Sequence, residues 1–521
     1  MSLFCHLNLA AALVAAALGL AEGDPATAGE HGAGTMPLTL EFETKIFPLD
    51  APFEARMGES IDVEGGVLVT GASSDDAGAE FAGSAYVFMR DPGEAEPWIQ
   101  VRKLTAPNPG IQNFFGQDVA ISGDTIVVSA HFVSAVYVFE RNAGGPDNWG
   151  FVRQIDGIPG TRFGTSIDLE GDTLVVGAPQ DSQLGSRAGA AFVHERDEGG
   201  ADNWGQVQKI FGSDTQAEDF FGLGVAIGAG RIAVGADVSP GQGKAYIFEY
   251  DSVEDEWSQV TQVAPSGVGE VFAQAISLDG DTLVVGDQLE PVNGNNQAGA
   301  AFVFERNEGG MDTWGEVAML VASDGESNDR FGFSVDVKGN RLAVGAVEVA
   351  VEENDEGAVY LFERDDNGNW LERDRALGME QSASLGSSVA VDGNAVVAGA
   401  LGNSEVNQLA GAVHTYLLGP ELFTLGDCPG STTIGLAGGT PNELAGLIWA
   451  LAPGTFPVPG GVCAGLELGL DQPNVLNALP ADEDGEVRFD ITAPGGICGL
   501  SIQAVDLATC EASNVTTVAG D

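Results

Sequence analysis

Phe331-Gly332-Phe333-Ser334-Val335-Asp336-Val337, then Lys338-Gly339-Asn340-Arg341, an apolar run ending in Gly345-Ala346, a polar loop, and Gly357-Ala358-Val359-Tyr360-Leu361-Phe362 form one phrase. It decides the fold because it recurs. Its openings fall seven times, at Met57-Gly58, Phe115-Gly116, Phe163-Gly164, Phe221-Gly222, Phe272-Ala273, Phe331-Gly332 and Leu385-Gly386, with a period of about 55 residues, as repeat architectures demand. Each copy parses into four strands. The first alternates, which suits one wet and one packed face. Gly-Asp or Gly-Asn pairs such as Gly171-Asp172 and Gly280-Asp281 supply the positive φ of a tight hairpin. The second strand, as in Thr173-Leu174-Val175-Val176-Gly177-Ala178, is apolar throughout, as expected where both faces are covered. A Gly- and Asp-rich loop after the third strand leads to a Trp opening the fourth: Trp98, Trp149, Trp204, Trp257, Trp314 or Trp370.

These residues resemble the FG-GAP repeat family, known from the propeller of integrin alpha subunits and from bacterial exported proteins, over roughly residues 38–418. The resemblance implies an all-β toroid, a seven-bladed β-propeller. The residues lead there independently, since one four-stranded unit cannot bury two apolar faces alone and radial repetition solves that problem. Repeat seven stops at His414-Thr415-Tyr416-Leu417 with no Trp-led strand after it, while Glu41-Phe42-Glu43-Thr44-Lys45-Ile46-Phe47 aligns with Trp98-Ile99-Gln100-Val101-Arg102-Lys103-Leu104. The N-terminal segment is therefore expected to complete the last blade and hide two strand edges.

Residues 1–21 read as a signal peptide: an apolar run from Leu7 to Leu20 and small residues before a cleavage site after Ala21, although only His6 stands where Lys or Arg is usual. At about 14 residues the run is too short for a span of ~20, so no integral membrane span is expected in the mature chain, which should be secreted or held at the cell surface. Residues 22–37 read as a flexible segment. Residues 419–521 lose the period, and short strands punctuated by Pro and Gly suggest a small β-sandwich-like domain. Its four cysteines, Cys428, Cys463, Cys498 and Cys510, read as two disulfides in an exported chain. A zinc site competes, but wants closer C-x(2-4)-C spacing.

Glycine is 74 of 521 residues and hydrophobic residues are 44%. With no G-X-Y period this excludes collagen and fits many tight turns between apolar strands. The formal charge is −56, so phosphate backbones and anionic membranes are repelled, and nucleic acid is not an expected partner. The acidity fits a solvated surface, a counter-cation atmosphere or dispersed calcium sites.

Clustered carboxylates precede two of the Phe-Gly openings: Asp324, Glu326 and Asp329 before Phe331, and Asp214 and Asp219 before Phe221. Oxygen ligands at alternate positions suit calcium; the competing reading is solvated turn residues that cap backbone amides. The integrin calcium loop, Asp-x-Asp-x-Asp-Gly between the first two strands, is not carried over, because those turns here have two residues. The recurrent Arg90, Arg141, Arg196, Arg306 and Arg364 point to pairing with blade carboxylates, and the Trp series to packing. The histidines are scattered, and neither a Gly-x-Ser-x-Gly elbow nor a phosphate loop stands out. The leading expectation is an extracellular, non-enzymatic recognition or adhesion scaffold that binds a protein or glycan on the propeller rim. The alternatives are an extracellular enzyme or enzyme subunit using rim carboxylates, with or without calcium, and a structural envelope or matrix component.

Overall fold

The computed structural model describes residues 40–418, except 51–52, 91–96, 238–241, 269–270, 309, 311–312, 352–353, 366 and 394, together with the strands given below for the segment after 420. Within the unit Phe42–Leu417, seven four-stranded antiparallel sheets follow one another as the blades of a propeller. Their inner strands, A, are Ile61–Glu64, Val119–Ser122, Ile167–Glu170, Val225–Gly228, Ile276–Asp279, Phe331–Lys338 and Leu385–Asp392. Strands B and C follow, Thr173–Ala178 and Ala190–Glu195 in blade 3, for example. The outer strands, D, are Trp98–Leu104, Gly150–Asp156, Gly205–Ile210, Glu256–Val263, Trp314–Leu320 and Trp370–Leu377.

Every A–B hairpin has a two-residue turn, as in Glu170↔Thr173 and Lys338↔Arg341, with φ of 56° at Gly171 and 58° at Gly339. Strands B and C are buried on both faces, so each blade packs its apolar surface on two neighbours. The six tryptophans that open or precede the D strands are all buried.

The Phe-Gly opening lies outside strand A in blades 1 to 5, and its glycine explains why. Gly332 has φ of 85°, and a Cβ there would lie 2.2 Å from the Ala300 carbonyl oxygen. Conversely, a Cβ on Gly286 would lie 2.1 Å from the Gly332 carbonyl oxygen. The Gly of one blade's opening thus sits against the penultimate Gly of strand B in the blade before, and neither tolerates a side chain. The same contact joins Gly71 to Gly116, Gly177 to Gly222, Gly345 to Gly386 and Gly399 to Gly58. In blade 5 the residue is Ala273, held at φ of 75°.

Closure follows the expected route. Leu40–Ile46 pairs as the outer strand on Ala412–Leu418, giving a last blade built from both ends of the propeller segment. Glu43 fastens the seam: one carboxylate oxygen accepts from Arg90 Nη2 of blade 1 at 2.9 Å, the other from Trp98 Nε1 at 3.0 Å and Thr415 Oγ1 at 3.0 Å.

In the chain after the propeller, Glu421–Gly426, Gly430–Ala437 and Val487–Ala493 form a three-stranded sheet. Asn474–Pro480, Leu444–Ala450, Ser501–Asp506 and Thr516–Thr517 form a second, in that order, and Pro453–Pro457 pairs with Glu467–Leu470. All four C-terminal cysteines lie outside the described residues.

Candidate functional site

Two surfaces of the propeller concentrate chemistry: the central channel and the rim carrying the B–C and D–A loops.

The channel, with a cavity volume of about 570 Å³, is lined by the seven A strands. An inner strand has a free edge whose N–H groups need acceptors. Carboxylates supply them across the seams. Asp62 accepts from Ile121 N at 2.7 Å, Asp118 from Ile167 N at 2.8 Å, Asp168 from Ile227 N at 2.6 Å and Asp336 from Val391 N at 2.7 Å. At the turns, Glu64 accepts from Gly123 N, Glu170 from Ala229 N at 2.7 Å, Asp279 from Gly339 N at 2.8 Å and Asp392 from Gly65 N at 2.8 Å. Burial pushes the Asp168 carboxyl up to about 7 and those of Asp118 and Asp336 up to about 6, and also raises Asp62, against the lowering effect of the amides. These acids are blade fasteners. Blade 4 is the exception: its inner strand, Val225-Ala226-Ile227-Gly228, has no polar side chain.

On the rim, Asp324 pairs with Arg375 and accepts from Tyr360 Oη at 3.0 Å. Asp214 does the same in blade 4, pairing with Lys244 and accepting from Tyr246 Oη at 2.7 Å. Asp329 and Asp219, both buried, cap their own loops by accepting from Glu326 N at 2.6 Å and Gln216 N at 2.7 Å; the Glu326 side chain is exposed. The five calcium candidates thus fall into two equivalent loops where a cation, a tyrosine and backbone amides use their oxygens. Among the described residues, no group of three His, Cys, Asp or Glu side chains is arranged to hold a metal. Asp50 repeats the device with Tyr86 and Lys103, and its signal was present in sequence: an Asp before the opening matched by a Tyr on strand C.

The recurrent arginines pair with blade carboxylates as expected, Arg141 within blade 2 with Asp124 and Asp147 and the others across to a neighbouring blade. Arg196 pairs with Glu140 and Asp172, Arg306 with Glu249 and Asp281, and Arg364 with Glu305 at 2.5 Å. His131, His194 and His414 are buried, and burial holds each imidazole down at about 4.

Sequence reasoning missed the rim residues that remain exposed. Phe132 is 53% exposed and packs on Phe114, which stacks on Phe81, with the exposed Arg162 over the Phe132 ring, and Ile111, 69% exposed, stands three residues before Phe114 in the same loop. The available signal was the position just before each opening, which reads Arg56, Phe114, Arg162, Phe220, Val271, Arg330 and Ser384.

A model of the FG-GAP repeat family matches residues 40–88, 98–139, 154–194, 204–248, 257–304 and 314–362, more than half of the chain. The chain belongs to the FG-GAP repeat family. Each match after the first begins near a D strand and ends on the next blade's C strand, so the FG-GAP unit straddles two blades. The last FG-GAP blade, assembled from residues 385–418 and the N-terminal strand, lies largely beyond these matches. No curated protein matches the chain.

Proposed function

We propose that this protein is an exported, non-enzymatic recognition or adhesion scaffold that binds an extracellular protein or glycan on the rim of its propeller, with its C-terminal hundred residues forming a separate disulfide-bonded β-sandwich. One observation carries the reading. The channel acids join blades and the recurrent arginines are taken up by blade carboxylates, whereas the rim from blade 1 to the start of blade 3 leaves Ile111, Phe132 and Arg162 exposed. Exposed apolar groups clustered beside an arginine mark a binding surface, and the family's architecture supplies the rigid platform on which loops can vary.

The test is an array of extracellular proteins and glycans probed with the full chain and with an Ile111→Ser, Phe132→Ser double variant. A ligand retained by the wild type and lost by the variant is expected. Binding only through the C-terminal segment, or turnover of an arrayed ligand, would overturn the reading.

A further inference from the structure

The partner class can be narrowed, on the recognition reading just given. On the rim, Phe81 and Phe114 stack with centroids 5.9 Å apart, Phe114 meets Phe132 at 4.6 Å, His131 stacks on Phe132 at 4.7 Å, and the Arg162 guanidinium lies 5.5 Å from the Phe132 centroid. Phe114 and Arg162 both hold the left-handed backbone conformation, with φ of 52° and 56°. Beneath them His131 is 5% exposed, and neither ring nitrogen has a hydrogen-bond partner.

We propose that Phe81, Phe114, Phe132 and Arg162 form a docking surface for a protein segment that places a carboxylate beside an apolar side chain.

Arg162 supplies the charge argument. In a chain with 21 Lys and Arg against 77 Asp and Glu, it has no ion-pair partner among the described residues, a state it shares with Arg56 at the equivalent position of blade 1, whereas Arg187 pairs with Glu218 at 2.6 Å and Arg330, at the equivalent position of blade 6, with Glu348 at 3.1 Å; what sets Arg162 apart is the Phe132 ring beneath its guanidinium. An unpaired guanidinium held against an aromatic ring is preorganised to accept a carboxylate. The net charge repels a polyanion, but that repulsion is screened beyond ~8 Å at physiological salt, so one acid in an apolar setting is favoured over an acidic polymer. A sugar needs an open aromatic face on which to stack. Phe132 has His131, Phe114 and Arg162 around it and offers mainly an edge, which suits packing by an aliphatic or aromatic side chain.

Random dodecapeptides displayed on phage are selected on the full chain, and the winners are synthesised and titrated against wild type, Arg162→Gln, Arg162→Lys and Phe132→Ser. Both substituted positions, Phe132 and Arg162, are exposed, and each variant is first shown to keep the wild-type melting transition. Winners should carry Asp or Glu next to a large apolar residue. Affinity should fall about tenfold or more in Arg162→Gln and Phe132→Ser and less in Arg162→Lys, and changing the peptide acid to its amide should reproduce the Arg162→Gln loss. Winners without an acid, or affinities unchanged by both substitutions, would overturn the proposal. A glycan signal on the array that Arg162→Gln abolishes while peptide binding persists would overturn it in favour of a sugar. Array binding that survives these substitutions but is lost on changing other rim loops removes this patch while leaving recognition by the rim intact.

Discussion

A single methyl group measures how tightly the blades meet. Gly332→Ala would force a Cβ to within 2.2 Å of the Ala300 carbonyl oxygen at φ of 85°, and backbone on both sides leaves no flexible atom to move. A loss of about 2–4 kcal/mol is expected, read as a lower denaturant midpoint. Ala273→Gly should do the reverse, gaining up to about 1 kcal/mol by relieving a left-handed alanine, and a destabilised Ala273→Gly would show that the Cβ itself packs usefully. The rim acids give a second residue-scale expectation. Calcium at Asp324 must displace Arg375 and the Tyr360 hydroxyl, so at high sodium chloride calcium should leave the melting temperature unchanged. A calcium-specific rise abolished by Asp324→Asn would instead support the metal reading of that loop.

At the level of elements, the closing strand is the most consequential. Glu43→Ala leaves Arg90 and Trp98 without their shared acceptor in a mostly buried seam, and should cost about 1–3 kcal/mol. Deleting residues up to 47 should lower the melting temperature far more and promote association, which light scattering during the melt would detect; an unchanged transition would contradict closure by this strand. That strand was legible because Glu41 to Phe47 aligns with Trp98 to Leu104 while repeat seven lacks a fourth strand. The A–B turns and the pairing of the recurrent arginines with blade carboxylates were legible for the same reason, since repetition turns local chemistry into a pattern. The seam acids were not. Asp62 and Ile121 are 59 positions apart, and the alternation that placed Asp62 on strand A does not say that its carboxylate reaches the next blade's backbone. The two readings of the Asp214 and Asp324 loops stayed open in sequence because an Asp that serves a neighbouring Tyr and Lys or Arg has the same local spacing as one that serves a metal.

Across the whole ring, the fasteners couple stability to pH. Asp118, Asp168 and Asp336 titrate higher in the folded chain than in the unfolded one, so the folded state holds extra protons between about pH 4 and 7 and loses stability as pH rises through that window. The buried histidines work oppositely, because burial lowers them to about 4; they oppose folding as pH falls from 6.5 to 4. Between about pH 6.5 and 7.5 the unfolded histidines are still losing protons, so the two effects oppose one another there and the wild-type slope is shallow. Asp168→Asn removes one acid from that balance, so its melting temperature relative to wild type should rise as pH goes from about 6 to 8; a difference that stays constant or falls over that interval would contradict the assignment. Blade 4 breaks the symmetry. Its inner strand offers no acceptor to blade 5, and Gly228 instead meets the Leu278 carbonyl closely. The Leu278 amide should exchange with deuterium faster than Ile227, which Asp168 holds, and equal protection of the two would remove the distinction between this seam and the others.

The pairing of Leu40–Ile46 with Ala412–Leu418 also fixes an order in time. A ribosome makes the closing strand before any blade exists, and its partner only after some 370 further residues, counted from the same two strands. Until then the first blade lacks its Glu43 contacts and the seventh its outer strand, so an emerging chain is an open arc with two unsatisfied ends. Such intermediates are aggregation-prone. Synthesis of this protein thus depends on keeping an early segment available and unpaired through most of translation.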